Sequence, residues 1–188
     1  GNAGTTNALR VMGSRAGIIT FLGDFCKMMA AYLVVWLIFG QNNPEMSLLL
    51  KLYTGFGVVL GHDYPAFLKF QGGKGIAVTG SLFLLINWRT GLVAAALFIG
   101  ILWFTYYASL ASIVMVTVDS VLFLVFCRFG VIGLGVLSLT EAAVLIGIVW
   151  VLAMVLHRDN IRRLLTGKEN KIFLASYFEK RNDRRMVK

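Results

Sequence analysis

Apolar runs falling roughly at residues 16–40, 46–61, 76–88, 91–107, 110–127 and 129–156 leave this chain few ways to fold. A helix must supply about 20 apolar residues to cross a hydrocarbon core about 30 Å thick. The first, fourth, fifth and sixth runs meet that length and the second nearly does. The run at 76–88 is short; it either borrows length from the glycine-rich segment before it or enters the bilayer without a full crossing. Lipid offers no partner for backbone N–H and C=O groups, so segments of this kind become helices. The pattern predicts an all-α, polytopic integral membrane helix bundle with about six transmembrane helices. With 58% hydrophobic and only 14% charged residues, the 188-residue chain lacks the polar surface of a soluble domain.

The runs form one domain, residues 1–188, with a helical bundle over 17–167 and a basic tail over 168–188. No linker rich in Pro, Ser or Gly divides it, and no internal repeat suggests an inverted-repeat transporter. Ile172, Phe173, Leu174, Tyr177 and Phe178 alternate with basic residues in the tail, which reads either as amphipathic on a leaflet surface or as solvated. The chain begins Gly1-Asn2-Ala3-Gly4, without Met and inside a polar motif, so a preceding segment is expected in the full protein.

Charge orients the bundle. With six alternating crossings, one face receives residues 1–15, 62–75, about 105–112 and 157–188, and with them Arg10, Arg15, Lys69, Lys74, Arg158, Arg162, Arg163, Lys168, Lys171 and the basic residues of the tail. The opposite loops offer Arg89 and Arg128, with Lys51 just inside a span. A lysine and arginine bias of this size assigns the first face to the cytoplasm. The net charge of +9 is therefore a topology signal, and nucleic-acid binding is disfavoured because the basic residues flank spans without interleaved aromatics. Cys26 and Cys127 lie toward opposite ends of separate runs and read as packing residues rather than a disulfide.

Four segments with unusual polar residues, 1–15, 61–75, 105–112 and 157–169, all fall on that one face. Chance would scatter them. In the first, glycines, threonines and asparagines precede Arg10, a set whose backbone, hydroxyl and guanidinium donors suit phosphate oxygens; a polar turn with a topogenic arginine is the plainer alternative. The second, Gly61 to Gly75, contains Gly72-Gly73-Lys74-Gly75. It resembles half of a P-loop but lacks the G-x-x-x-x-G-K-[ST] spacing, because Ile76 follows Gly75, so a nucleotide site is disfavoured. Ser109 and Ser112 in the third share a helical face, although such serines often only bond back to their own helix. In the fourth, His157 ends the last run and Asn160 follows one turn on, putting both on one side. Among residues inside the runs, Asp24 and Lys27 stand at i, i+3 and pair most economically with each other. Asp119 has no evident partner, and both a structural hydrogen bond and a cavity-lining role stay open.

These motifs resemble those of the bacterial acyl-phosphate glycerol-3-phosphate acyltransferases (PlsY), which read approximately S-G-N-x-G-A-T-N, G-H-x-x-P-x-F-x-x-F-x-G-G-K-G and H-x-x-N-x-x-R-L-x-x-G-x-E. They stand here as Gly1 to Asn7, Gly61 to Gly75 and His157 to Glu169, in order and over essentially the whole chain. Asp24-x-x-Lys27 and Ser109-Leu110-x-Ser112 also look like the family. Thr5 replaces an alanine, and the serine before Gly1 is absent together with a first helix that would make seven crossings in a complete member.

The resemblance implies an enzyme of the bacterial cytoplasmic membrane, its active site facing the cytoplasm, without a cofactor or metal and expected as a monomer. It would transfer a fatty acyl group from acyl phosphate to the 1-hydroxyl of sn-glycerol 3-phosphate, giving lysophosphatidic acid and phosphate. On this reading Arg10, Lys74 and His157 hold the phosphate of glycerol 3-phosphate, helped by Ser109 and Asn160. The acyl phosphate head lies between the loop of Gly1, Asn2, Gly4, Thr6 and Asn7 and the loop of Gly72, Gly73 and Gly75. His62, Ser112, Arg163 and Glu169 complete the substrate-binding set. Either the departing phosphate or His157 takes the hydroxyl proton. An activated donor needs no covalent enzyme nucleophile, since positioning alone is worth about 7–11 kcal/mol. The His-x-x-x-x-Asp pair of acyl-CoA-dependent acyltransferases is missing, as Phe67 follows His62 by five and Arg162 follows His157 by five. A small-anion transporter built on the same convergent basic loops is the rival class.

Overall fold

The computed structural model describes residues 3–172, so Gly1, Asn2 and the tail beyond Ile172 lie outside the described residues. A short helix α1 (Thr5–Met12) leads into α2 (Ser14–Val35), which runs on through a π-helical turn at Trp36–Gly40. Then follow α3 (Ser47–Asp63), α4 (Ile76–Ile86), α5 (Trp88–Thr105), α6 (Ala108–Arg128), α7 (Leu139–Leu156) and a second short helix, α8 (Arg158–Leu165).

Four of these, α2 with its π-turn, α5, α6 and α7, are long and apolar enough to cross a membrane. At about 1.5 Å per residue, α3 with its 17 residues reaches about 25 Å, and α4 with 11 reaches only about 16 Å. The expectation of about six crossings thus resolves into four full-length spans, one slightly short helix and one half-length helix. The cause lies at both ends of α4. Gly75, at φ +66°, starts it late, and Asn87 ends it by capping α5, its side chain accepting from the Arg89 N–H at 2.9 Å. Thr90 then donates to the Phe83 carbonyl at 2.8 Å and stitches the two helices together.

Short as it is, α4 sits at the centre of the bundle, in contact with α2, α3, α5 and α6. Val78, Leu82 and Phe83 are fully buried there, packed with Met28, Leu52, Phe123 and Ile146. Enclosure by protein lets a helix end at membrane depth without exposing backbone to lipid. The outward faces of α2, α5 and α7 carry Ile19, Ile38, Ile99, Trp103 and Val151, all more than a third exposed, which is the surface lipid requires.

One segment that reads as a polar loop is helical. Residues 5–12 form α1, laid against α2 where Leu9 meets Gly17 so closely that a Cβ there would stand 2.9 Å from Leu9 Cβ. The sixth apolar run narrows at its start, because 129–138 is a turn region with Gly130 and Gly135 at positive φ and α7 begins only at the Ser138 cap. At the other face Tyr106, at φ +62°, reverses the chain between α5 and α6. Its carbonyl accepts from the Ile172 N–H at 2.8 Å. Ile172 is buried among Leu9, Leu102, Ala108 and Ala111, so the last described residues strap the start of α6 to α1.

Candidate active site

A cavity of about 480 Å³ collects the four polar segments. Gly4, Thr6, Asn7 and Arg10 enter from α1 and the residue before it, His62 from the last turn of α3, Lys74 and Gly75 from the loop before α4, and Ser109 and Ser112 from α6. His157 enters from the α7–α8 junction, Asn160 and Arg163 from α8, and Glu169 from the segment after it. The other end of the cavity runs between α2, α4 and α5 and is apolar, walled by Phe21, Phe25, Gly80, Leu84, Ala95 and Ile99. Helices α1, α4 and α6 all begin on the polar wall. Their first-turn N–H groups lack intrahelical partners, a disposition that favours an anion.

One hydrogen-bonded chain organises the cationic side. The Lys74 ammonium donates to Asn160 Oδ1, and Asn160 Nδ2 donates to Glu169 Oε1 at 2.8 Å. The other oxygen, Glu169 Oε2, accepts from Arg163 Nε at 2.7 Å. The carboxylate therefore orients an amide and a guanidinium, while the amide fixes the ammonium. Burial pushes the Lys74 ammonium below its usual range, and the nearby Arg163 charge works in the same direction. An arriving phosphate would relieve both.

His157 is buried at 3% exposure, with Nδ1 2.8 Å from the Ala153 carbonyl. That contact requires the proton on Nδ1, which leaves Nε2 as an acceptor. Burial pulls the imidazole from its ordinary 6.5 down to about 4, the Ala153 bond opposing and Lys74 assisting, so the ring is neutral near pH 7. Of the two serines, Ser112 bonds back to the Ala108 carbonyl at 2.7 Å, whereas the buried Ser109 hydroxyl has no partner among the described residues. The Thr5 hydroxyl, also on the cavity wall, is buried and unpartnered in the same way. Thr5 is a residue of the site that the motif positions do not single out, although its place directly after Gly4 was a usable signal.

Gly72 and Gly73 depart from the expected role. Their N–H groups donate to the carbonyls of Asp63 (3.0 Å) and His62 (3.1 Å), so neither is free to cradle a phosphate, and neither lines the cavity. Their glycine requirement is steric: a Cβ on Gly72 would strike the His62 carbonyl, and one on Gly73 the His62 ring. Gly75 does reach the cavity, and its positive φ and the neighbouring Asp63 carboxylate both exclude a side chain. Gly1 and Asn2 lie outside the described residues. The expected Asp24–Lys27 pair forms at 2.6 Å. Asp119 is fully buried in α6, its carboxylate unpartnered among the described residues, and is not on the cavity wall.

A membrane helix bundle whose cationic pocket continues into an apolar groove has the layout of an integral membrane transferase that joins a polar anion to a lipid. Residues 1–167 match the family described as glycerol-3-phosphate acyltransferase. The glycerol-3-phosphate acyltransferase of Clostridioides difficile is 39% identical over 173 residues, covering 92% of this chain and 78% of its own length. That of Alkaliphilus metalliredigens is 37% identical over the same shares. The crystal structure of PlsY (YgiH), an integral membrane glycerol 3-phosphate acyltransferase, in its glycerol 3-phosphate form matches with a TM-score of 0.76 at 31% identity, over 95% of this chain and 82% of that one. Its lysophosphatidic acid form matches with a TM-score of 0.75. The chain belongs to the glycerol-3-phosphate acyltransferase family and is an integral membrane acyltransferase.

Proposed function

We propose that this protein transfers a fatty acyl group from acyl phosphate to the 1-hydroxyl of sn-glycerol 3-phosphate at the cytoplasmic face of a bacterial inner membrane. The observation that carries the reading is that one cavity has a cationic, N–H-rich end and an apolar end. It matches a pair of substrates in which both heads are anionic and one bears a lipid tail.

In the reaction the glycerol oxygen forms a bond to the acyl carbon, the bond from that carbon to the phosphate oxygen breaks, and phosphate leaves. The hydroxyl proton goes to His157 Nε2 or to the departing phosphate. The neutral ring and free Nε2 support His157 as an acceptor of that proton. Arg10 and Lys74, with Ser109 and Asn160, hold the phosphate of glycerol 3-phosphate; His157, whose bare Nε2 only accepts, serves the hydroxyl rather than the phosphate. The acyl phosphate head lies against the starts of α1 and α4, where Gly4, Thr6, Asn7 and Gly75 stand. Gly72 and Gly73 contribute by shaping the turn that carries Lys74. Juxtaposing two anions and neutralising them supplies the catalysis, and no enzyme nucleophile is needed.

The orientation rests on the lysine and arginine bias of the loops. A monomer is the proposed working unit, since one chain supplies both the cationic and the apolar ends of the cavity. The purified protein in lipid should form lysophosphatidic acid from acyl phosphate and glycerol 3-phosphate and give none from acyl-CoA. Turnover with acyl-CoA at a comparable rate would remove acyl phosphate from the proposal. Anion flux into vesicles without any acyl transfer would favour the transporter reading instead.

A further inference from the structure

Asp24 and Lys27, which none of the roles above uses, form a cluster with His62. Lys27 Nζ stands 2.6 Å from Asp24 Oδ1 and 2.6 Å from His62 Nδ1. His62 Nδ1 is also 3.3 Å from Asp24 Oδ1. The two contacts to Nδ1 compete. An ammonium cannot approach a protonated ring nitrogen to 2.6 Å, so with Lys27 charged the Nδ1 must be bare, and the longer contact to Asp24 is not an N–H···O bond. The neutral ring then carries its proton on Nε2. That edge lies against Gly73, on the residue before Lys74, and His62 lines the polar end of the cavity.

His157 is arranged in the opposite sense, with its proton on Nδ1 and a bare Nε2. The chain has only two histidines, and their surroundings set them as a fixed donor and a fixed acceptor in one cavity. We infer that Asp24 and Lys27 are positioning residues: they lock His62 in the Nε2–H form so that it donates a hydrogen bond to the anionic head held against the start of α4. The assignment of that anion to acyl phosphate rests on the proposed function; the tautomer does not.

Several features agree with a lock. Lys27 and Asp24 lie well inside the span formed by α2 and its π-turn, where ionisable side chains are retained for a purpose. The His62 carbonyl accepts from the Gly73 N–H at 3.1 Å, so the residue is fixed to the turn at its backbone as well as through its ring. Replacing Lys27 would free Nδ1 to take a proton and bond Asp24, which turns Nε2 from a donor into an acceptor facing an anion.

The direct test is the nitrogen-15 spectrum of histidine-labelled protein in detergent, with the two rings assigned through His157→Gln. The expected result near pH 7 is a bare Nδ1 and protonated Nε2 on His62, and the reverse on His157. A proton on His62 Nδ1 in the unsubstituted protein would overturn the inference whatever the donor substrate proves to be. In Lys27→Met the His62 proton should move to Nδ1, and kcat/KM for acyl phosphate should fall by about tenfold or more, the weight of one charge-assisted hydrogen bond. The KM for glycerol 3-phosphate should hold, and Lys27→Arg should restore the tautomer and most of the rate. An unchanged tautomer and rate in Lys27→Met would overturn it too. Failure of the donor assignment alone would leave the wild-type spectrum as expected and appear as transfer from another acyl donor.

Discussion

The Lys74 ammonium donates to the side-chain oxygen of Asn160, 86 residues further along the chain. The bond joins the glycine turn before α4 to the first turn of α8, and Glu169 extends it to Arg163. A cation held this way is aimed before substrate arrives, and pre-aimed charge is the form of electrostatic stabilisation with the largest catalytic effect. Lys74→Met should therefore lower kcat/KM by about 10²–10³ while the purified protein keeps its helical circular dichroism. A rate within threefold of wild type, measured by phosphate release, would take Lys74 out of the site.

Glu169 should act mainly through order. Its carboxylate is 4% exposed and accepts from both Asn160 and Arg163. Glu169→Ala leaves the Asn160 amide without that partner, at a cost of about 1–3 kcal/mol; the Arg163 share is small because its side chain is 39% exposed. Thermal unfolding in detergent should show a lower midpoint, with activity falling further than stability does. An unchanged midpoint would mean the carboxylate has no organising role.

The buried imidazole of His157 gives stability a pH dependence of definite sign. Its pKa is about 4 in the folded protein and 6.5 when free, so between those values the unfolded chain binds more protons. The contribution is complete above about pH 6.5 and is lost as pH falls toward 4, by roughly 3 kcal/mol over the window. Unfolding followed at pH 7 and pH 4.5 should show this loss in the wild type and a smaller one in His157→Gln. Equal slopes would contradict the buried neutral ring.

Gly80 lines the apolar end of the cavity, and a Cβ there would meet Met115 only at an ordinary 3.8 Å. Gly80→Ala should thus be tolerated, whereas Gly80→Leu fills the groove. Each methylene that loses its burial is worth about 0.8 kcal/mol, or about fourfold in kcat/KM. Gly80→Leu should therefore penalise long-chain donors progressively and spare short ones in an acyl-length series. A uniform loss at every length would place the chain elsewhere.

The bundle and the convergence of four polar segments were legible because each rests on a local signal. Apolar run length sets spans, and the alternation of crossings brings Arg10, Lys74, Ser109 and His157 to one face. Helix α4 was ambiguous because its end is decided by Asn87 and Thr90, which bond across the turn to α5 and to Phe83, a tertiary event. Helix α1 was hidden by the glycines that precede it and the threonines that open it, residues that suit a loop as well as a first turn. The roles of Gly72 and Gly73 were misread for a related reason. A glycine-rich, lysine-bearing turn looks the same in sequence whether its N–H groups face a ligand or, as here, the carbonyls of His62 and Asp63. Asp24 and Lys27 could be paired from their spacing, but nothing local indicates that His62, 35 residues from Lys27, completes the cluster.

Direct transfer between two substrates sharing one cavity is the central claim, and a single-turnover experiment reaches it most closely. Enzyme mixed with labelled acyl phosphate alone should release no burst of phosphate and carry no covalently bound acyl group. Adding glycerol 3-phosphate should then release phosphate and lysophosphatidic acid together, one for one. A stoichiometric burst of phosphate before the acceptor is added, with label retained on the protein, would contradict it.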